Sequence, residues 1–186
     1  MTTVSPRRRA ALSTLALAGL TLAVPAAAHP GHLETGFAAG LLHPLTGLDH
    51  LLAMLAVGLW SRQQRHGMVL PPTFLVLMAL GAASSVAGLA LPALETSIAA
   101  TVLLLGMLAA SALRMPPALA VATVSACAFL HGQAHGRELA GMASGAGFML
   151  TSAALMALGA LPGARLRRMA GAAIGAAGMV LLAGAV

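Results

Sequence analysis

Apolar residues in this chain fall in long unbroken runs, not in the alternation of strands or the narrow stripes of soluble helices. Six such runs stand out beyond residue 35, at roughly 36–60, 68–91, 96–114, 117–135, 139–161 and 166–186. Each is close to the ~20 residues a helix needs to cross a bilayer. A segment that is apolar all round must be covered by lipid. In lipid only helices and closed barrels satisfy their own backbone, and barrel strands show short segments of alternating polarity. The pattern therefore predicts an all-α polytopic membrane helix bundle of six transmembrane helices, with the lipid bilayer as its main partner.

The start of the chain has a different grammar. Arg7, Arg8 and Arg9 precede an apolar stretch over 10–24, which ends in Pro25-Ala26-Ala27-Ala28. A basic head, a short apolar middle and a small-x-small end read as a cleavable signal peptide over 1–28, leaving 29–186 as one transmembrane domain. Cleavage places the mature N-terminus outside, in the periplasm of a bacterial cell. Arg62, Arg65, Arg114, Arg165, Arg167 and Arg168 then all fall in cytoplasmic connections, and only Arg137 lies outside. That asymmetry is the positive-inside bias of a multi-pass protein of the bacterial inner (plasma) membrane.

Composition changes the picture little. The 186 residues are 59% hydrophobic and 8% charged, against about 25% charged in soluble domains, and the mean hydropathy is +0.93. The net charge of +6 follows from topology, so nucleic acid is not an expected partner. One cysteine, Cys127, sits in an apolar run and excludes an internal disulfide. The chain has no phosphate-binding G-x-x-x-x-G-K-[ST] run, and no organic cofactor is expected. Helix pairs packed through small residues, as in 170–178, leave room for a homo-oligomer.

The chemistry must lie where ionisable groups enter the spans, because such groups are costly in a membrane. The first cluster is His43-Pro44-Leu45-Thr46-Gly47-Leu48-Asp49-His50, and the second is His131-Gly132-Gln133-Ala134-His135-Gly136-Arg137-Glu138. His66 lies in a loop and reads as solvated. His43 and His50 share a helical face but would be about 10 Å apart along a straight helix, too far for one ion with ligands at about 2 Å. Pro44 disfavours helical geometry at His43, and Thr46-x-x-Asp49 reads as a capping box. A break near 43–45 is therefore expected, with a new helix from Thr46 and His43 folded back toward Asp49 and His50. Asp49 reads as a cap, a role compatible with orienting a His ligand.

His131 and His135, four apart, lie one helical turn from each other and suit a shared ion. Glu138 reads either as a further ligand or as a solvated acid beside Arg137, and Gly132 and Gly136 as points of close approach or unwinding. The two clusters align with an offset of 88, Leu42-His43 on Leu130-His131, which suggests a 3+3 inverted repeat whose interface brings them together. Along a straight first span His43 and His50 would lie about 10 and 21 Å deep, forming a ladder of ligands with His131 and His135. Imidazole and carboxylate without thiolate suit nickel, cobalt, zinc or iron(II). The expected partner is a divalent metal ion, carried as cargo. His29 and His32 at the mature N-terminus are candidates for its capture outside.

The residues also resemble a known family. His43-Pro44-x-x-Gly47-x-Asp49-His50, followed by Leu51-Leu52-Ala53-Met54-x-Ala56-Val57-Gly58-x-Trp60, is similar to the signature of the HupE/UreJ family. So are the signal peptide, the early His29-x-x-His32 and the His131-Gly-x-Ala-His135-Gly-x-Glu138 motif. The resemblance covers the mature chain. It implies a secondary permease, not an enzyme, importing Ni2+ (in some lineages Co2+) for urease or hydrogenase, with Zn2+ a candidate by ligand type alone. It also implies that His43, Asp49, His50, His131, His135 and Glu138 matter for uptake. The larger nickel/cobalt transporter family spaces its His-Asp-His motif differently, so nickel rests on the resemblance alone. Two other readings remain: an intramembrane metal-dependent hydrolase, and a non-transporting membrane subunit that hands metal to a partner.

Overall fold

The computed structural model describes residues 34–186 except Arg137. The expected signal peptide, His29 and His32 therefore lie outside the described residues. Within them the chain forms seven α-helices: α1 (Phe37–Thr46), α2 (Leu48–Ser61), α3 (Leu70–Val86, entered through a 3-10 turn at Gly67–Val69), α4 (Leu94–Ser111), α5 (Pro117–His135), α6 (Met142–Gly159) and α7 (Ala164–Gly184). Five of these, α3 with its 3-10 turn included, are long and apolar enough to cross a membrane. α1 and α2, bent by 84° at a one-residue break, together make a sixth candidate span. Each of the six expected segments is thus helical, within about five residues of the hydropathy boundaries, with the first one broken.

The break falls later than expected, and for a different reason. α1 runs through Pro44 and stops at Gly47, which has extended backbone angles (φ −88°, ψ 111°). Pro44 removes one helical hydrogen bond, and the chain gives up the helix a turn later, where glycine supports it least. The capping box does not form. The Thr46 hydroxyl turns back and donates to the His43 carbonyl at 2.8 Å. Asp49 nevertheless serves the first turn of α2, accepting the His50 backbone N–H at 2.7 Å. The bend also removes the straight axis on which depths of about 10 and 21 Å were reckoned.

Two short strands, β1 (Glu34–Thr35) and β2 (Leu139–Ala140), pair in parallel. Each is followed by a glycine at positive φ, Gly36 at 94° and Gly141 at 93°. These are angles that L side chains rarely adopt. Each glycine turns the chain directly into a helix, α1 and α6, and these two helices pack together. The strand pair thereby ties the segment leaving α5 to the segment entering α1.

The remaining contacts define two ends. At one, the Trp60 indole and the Gln64 amide both donate to the Leu113 carbonyl at 3.1 and 2.8 Å, and Arg168 donates to the Ala110 carbonyl at 3.1 Å. The connections holding Arg62, Arg65, Arg114 and the arginines of α7 therefore gather there. At the other end lie the strand pair and Thr96, which donates to the Ala185 carbonyl at 3.0 Å. An apolar core fills the middle, including Met54, Val57, Phe74, Met78, Val102, Leu105, Val124 and Cys127.

The glycines of the second cluster provide close approach, not unwinding. α5 stays helical through His135, and a Cβ on Gly132 would sit 2.0 Å from the Met78 carbonyl oxygen of α3. Gly132→Ala is expected to push α3 and α5 apart at a cost of ~1–3 kcal/mol, read as a lower thermal midpoint of the purified protein. An unchanged midpoint would mean that these helices do not pack this closely.

Candidate metal centre

Four segments deliver the polar groups: the end of α1, the start of α2, the last turns of α5 and the turn that follows it. The elbow at Gly47 points His43 and His50 at the same neighbour. That neighbour is His135, whose ring centroid lies 4.6 Å from His43 and 3.8 Å from His50. His43 therefore does not fold back on His50 directly, as the sequence suggested. His135 stands between them.

At the outer edge three atoms meet. His43 Nε2 lies 2.9 Å from His135 Nδ1 and 3.3 Å from Glu138 Oε2, and His135 Nδ1 lies 2.6 Å from Glu138 Oε2. These are three good ligand atoms from two helices and a turn, all within 4.8 Å of one another. An ion held at about 2.0–2.1 Å from each would keep its donors roughly 3 Å apart, so the group needs little movement to close on one. Glu138 is thus drawn into the cluster while its side chain stays about half exposed. Hydrogen bonds from His135, then His43, hold its carboxyl down at about 2, so it stays a carboxylate at any physiological pH.

The cluster continues inward. His50 Nδ1 donates to Asp49 Oδ1 at 3.1 Å, so Asp49 orients the His50 ring as well as the first turn of α2. His50 Nε2 lies 3.2 Å from His131 Nδ1, and His131 Nε2 lies 2.8 Å from the Thr101 hydroxyl of α4. Exposure falls along the series. The side chains of Glu138, His43, His135 and His50 are 53%, 14%, 10% and 2% accessible, and His131 is wholly buried. The two sequence clusters therefore form one polar chain that starts at the surface and ends inside. His66 is exposed at the arginine end and takes no part.

Two contributors escaped the sequence reading. Thr101 is one polar residue among apolar ones in α4, and that isolation was its only signal. Phe148 of α6 packs against His43, His50 and His135 at centroid distances of 5.8, 6.2 and 5.0 Å. It walls one side of the imidazoles with hydrocarbon, and nothing in the apolar run around it marks it. Ser144, by contrast, serves helix packing: its hydroxyl donates to the Gly141 carbonyl at 3.0 Å, and its backbone touches Gly40 of α1.

The family model described as "HupE / UreJ protein" matches residues 15–186. The chain belongs to the HupE/UreJ family. It is 40% identical to Protein HupE of Rhizobium leguminosarum bv. viciae over 185 residues, which cover 92% of this chain and 97% of that protein. No solved structure matches it. The imidazole–carboxylate chain described above is built from the two motifs that carry the family resemblance.

Proposed function

We propose that this HupE/UreJ protein is a secondary permease that imports a divalent transition metal ion across the bacterial inner membrane. The metal is Ni2+ ahead of Co2+ or Zn2+, and the client is a metalloenzyme such as urease or hydrogenase. One observation carries the reading: His43, His135 and Glu138 converge from separate segments at the mouth of a chain of imidazoles that runs into a buried interior. Nitrogen and carboxylate oxygen without thiolate suit these borderline ions. The order among them follows the family resemblance.

Direction follows from the two ends. The arginine-rich end faces the cytoplasm under the positive-inside rule, so the mouth at Glu138 faces the periplasm and takes the ion there. One and two turns beyond His131 on α5 come Cys127 and Val124, in a dry core with Phe74, Met78 and Val102. That layer closes the inner side in this conformation, and release requires the helices to part, as in alternating access.

The test is uptake into liposomes containing this protein alone. The expected result is saturable Ni2+ entry, outcompeted by Co2+ less well than by unlabelled Ni2+ and lost in His43→Ala. Hydrolysis of lipid or peptide without metal movement would replace the permease with an intramembrane hydrolase. Metal binding without entry would make the chain a delivery subunit.

A further inference from the structure

α6 and α7 follow one another in the chain but have almost no contact. α6 lies against α1 and α2, and α7 against α4. The space left between them is a groove of about 490 Å³ at the arginine end. Leu55 and Leu59 of α2, Leu158 of α6, Pro162 of the turn, and Ala170 and Ile174 of α7 line it, and no polar side chain does. Both helical walls end in an arginine. On α2 the face of Leu55 and Leu59 continues to Arg62, and on α7 the face of Ala170 and Ile174 begins one turn earlier at Arg167. The Arg62 guanidinium meets the Met68 sulfur at 4.0 Å and no oxygen. Arg167 gives one N–H to the Pro162 carbonyl, and its Nε has no acceptor. A guanidinium has five N–H groups to place. The chain cannot neutralise these cations. Its four acids, Glu34, Asp49, Glu95 and Glu138, all lie toward the other end.

We propose that this groove holds one anionic phospholipid of the cytoplasmic leaflet, with an acyl chain between α6 and α7 and its phosphate shared by Arg62 and Arg167. Guanidinium groups take phosphate oxygens through paired N–H donors, and basic pockets between spanning helices on the cytoplasmic side suit such headgroups. The two parts of the lipid do different work. The groove fixes where the chain lies but gives no preference, because one lipid tail is as apolar as another. Preference comes from the headgroup charge, which the two arginines read. A second copy of this protein is a poorer occupant. Two copies in one bilayer stand the same way up, so it would bring arginine-rich end against arginine-rich end. The lipid joins α2, which carries His50, to α7. The inference rests on the spans and on the position of the arginines, and it stands whether or not the chain moves metal.

The experiment is native mass spectrometry of the full chain released from vesicles of equal parts phosphatidylglycerol and phosphatidylcholine. Wild type is expected to retain one phosphatidylglycerol per chain, favoured about thirtyfold over phosphatidylcholine, which is what two arginines at a membrane surface are worth together. Arg167→Gln is expected to cut that preference to about fivefold, and adding Arg62→Gln to bring it to parity. Arg114→Gln removes an exposed arginine at the same end that does not border the groove, and is expected to change nothing. Ala173→Phe fills the groove from an exposed position, and is expected to release the lipid with the thermal midpoint unchanged. Equal retention of the two lipids by wild type would overturn the proposal, and that result needs no variant to fold. An equal loss in Arg114→Gln would overturn it too, by showing a diffuse charge effect. So would phosphatidylglycerol retained by Ala173→Phe, or a wild-type dimer that Ala173→Phe splits, since a second copy would then cover the groove.

Discussion

Replacing His135 with alanine is expected to abolish metal uptake and to lower Ni2+ affinity more than hundredfold, the largest effect of any single substitution in the chain. The reason is its place in the series. His135 gives one nitrogen to the mouth beside His43 and Glu138, and its ring lies against His50 below. No other imidazole touches both groups among the described contacts. Losing one of three ligands weakens a site directly, and the lost ring also leaves a gap between mouth and interior with no polar group to bridge it. His66→Ala is the matched control: an exposed imidazole at the arginine end, whose removal is expected to leave uptake unchanged. Equilibrium binding and liposome uptake on the same preparations separate a failure to bind from a failure to pass the ion on.

The second large effect is expected from acid. Metal needs neutral imidazole, so protons compete with it. With two imidazoles at the mouth, Ni2+ affinity is expected to fall as pH falls, by at most about a hundredfold per pH unit where both take up protons. Glu138 is not the group that titrates there. Its folded-state value of about 2 lies below the ordinary carboxyl value of 4.5, so its pairing with His135 and His43 is present above pH 4.5 and is lost only as pH falls toward 2. Glu138→Gln is accordingly expected to weaken binding at every pH while an acid loss persists. An acid loss that disappears with this substitution would assign the titration to the carboxylate instead. Binding curves from pH 5 to 8 for wild type and Glu138→Gln read both quantities.

Much of this architecture was legible before any coordinates. The six spans follow from runs of apolar residues, because lipid demands them. The two polar clusters stood out for the same reason, since an ionisable group in an apolar run calls for a partner. The geometry of the first span was less legible. Pro44 pointed to a break at 43–45, but a proline near a helix end costs one hydrogen bond, and the elbow formed at Gly47 instead. Neither residue encodes the 84° bend, which depends on α1 packing against α6 while α2 packs against α4 and α6. Glu138 was ambiguous because its exposure depends on how the turn after α5 is held, and the β1–β2 pair holds it. Thr101 was invisible for a deeper reason. It acts through His131, thirty residues away on another helix, and that pairing exists only once α4 and α5 have packed.

The most direct measurement is X-ray absorption on the purified protein loaded with one equivalent of Ni2+. The expected spectrum shows at least two imidazoles in the first coordination shell, and His135→Ala loses that imidazole signal. A shell of oxygen atoms only, unchanged by His135→Ala, would mean that the imidazoles gathered between α1, α2 and α5 hold the helices together and carry no metal.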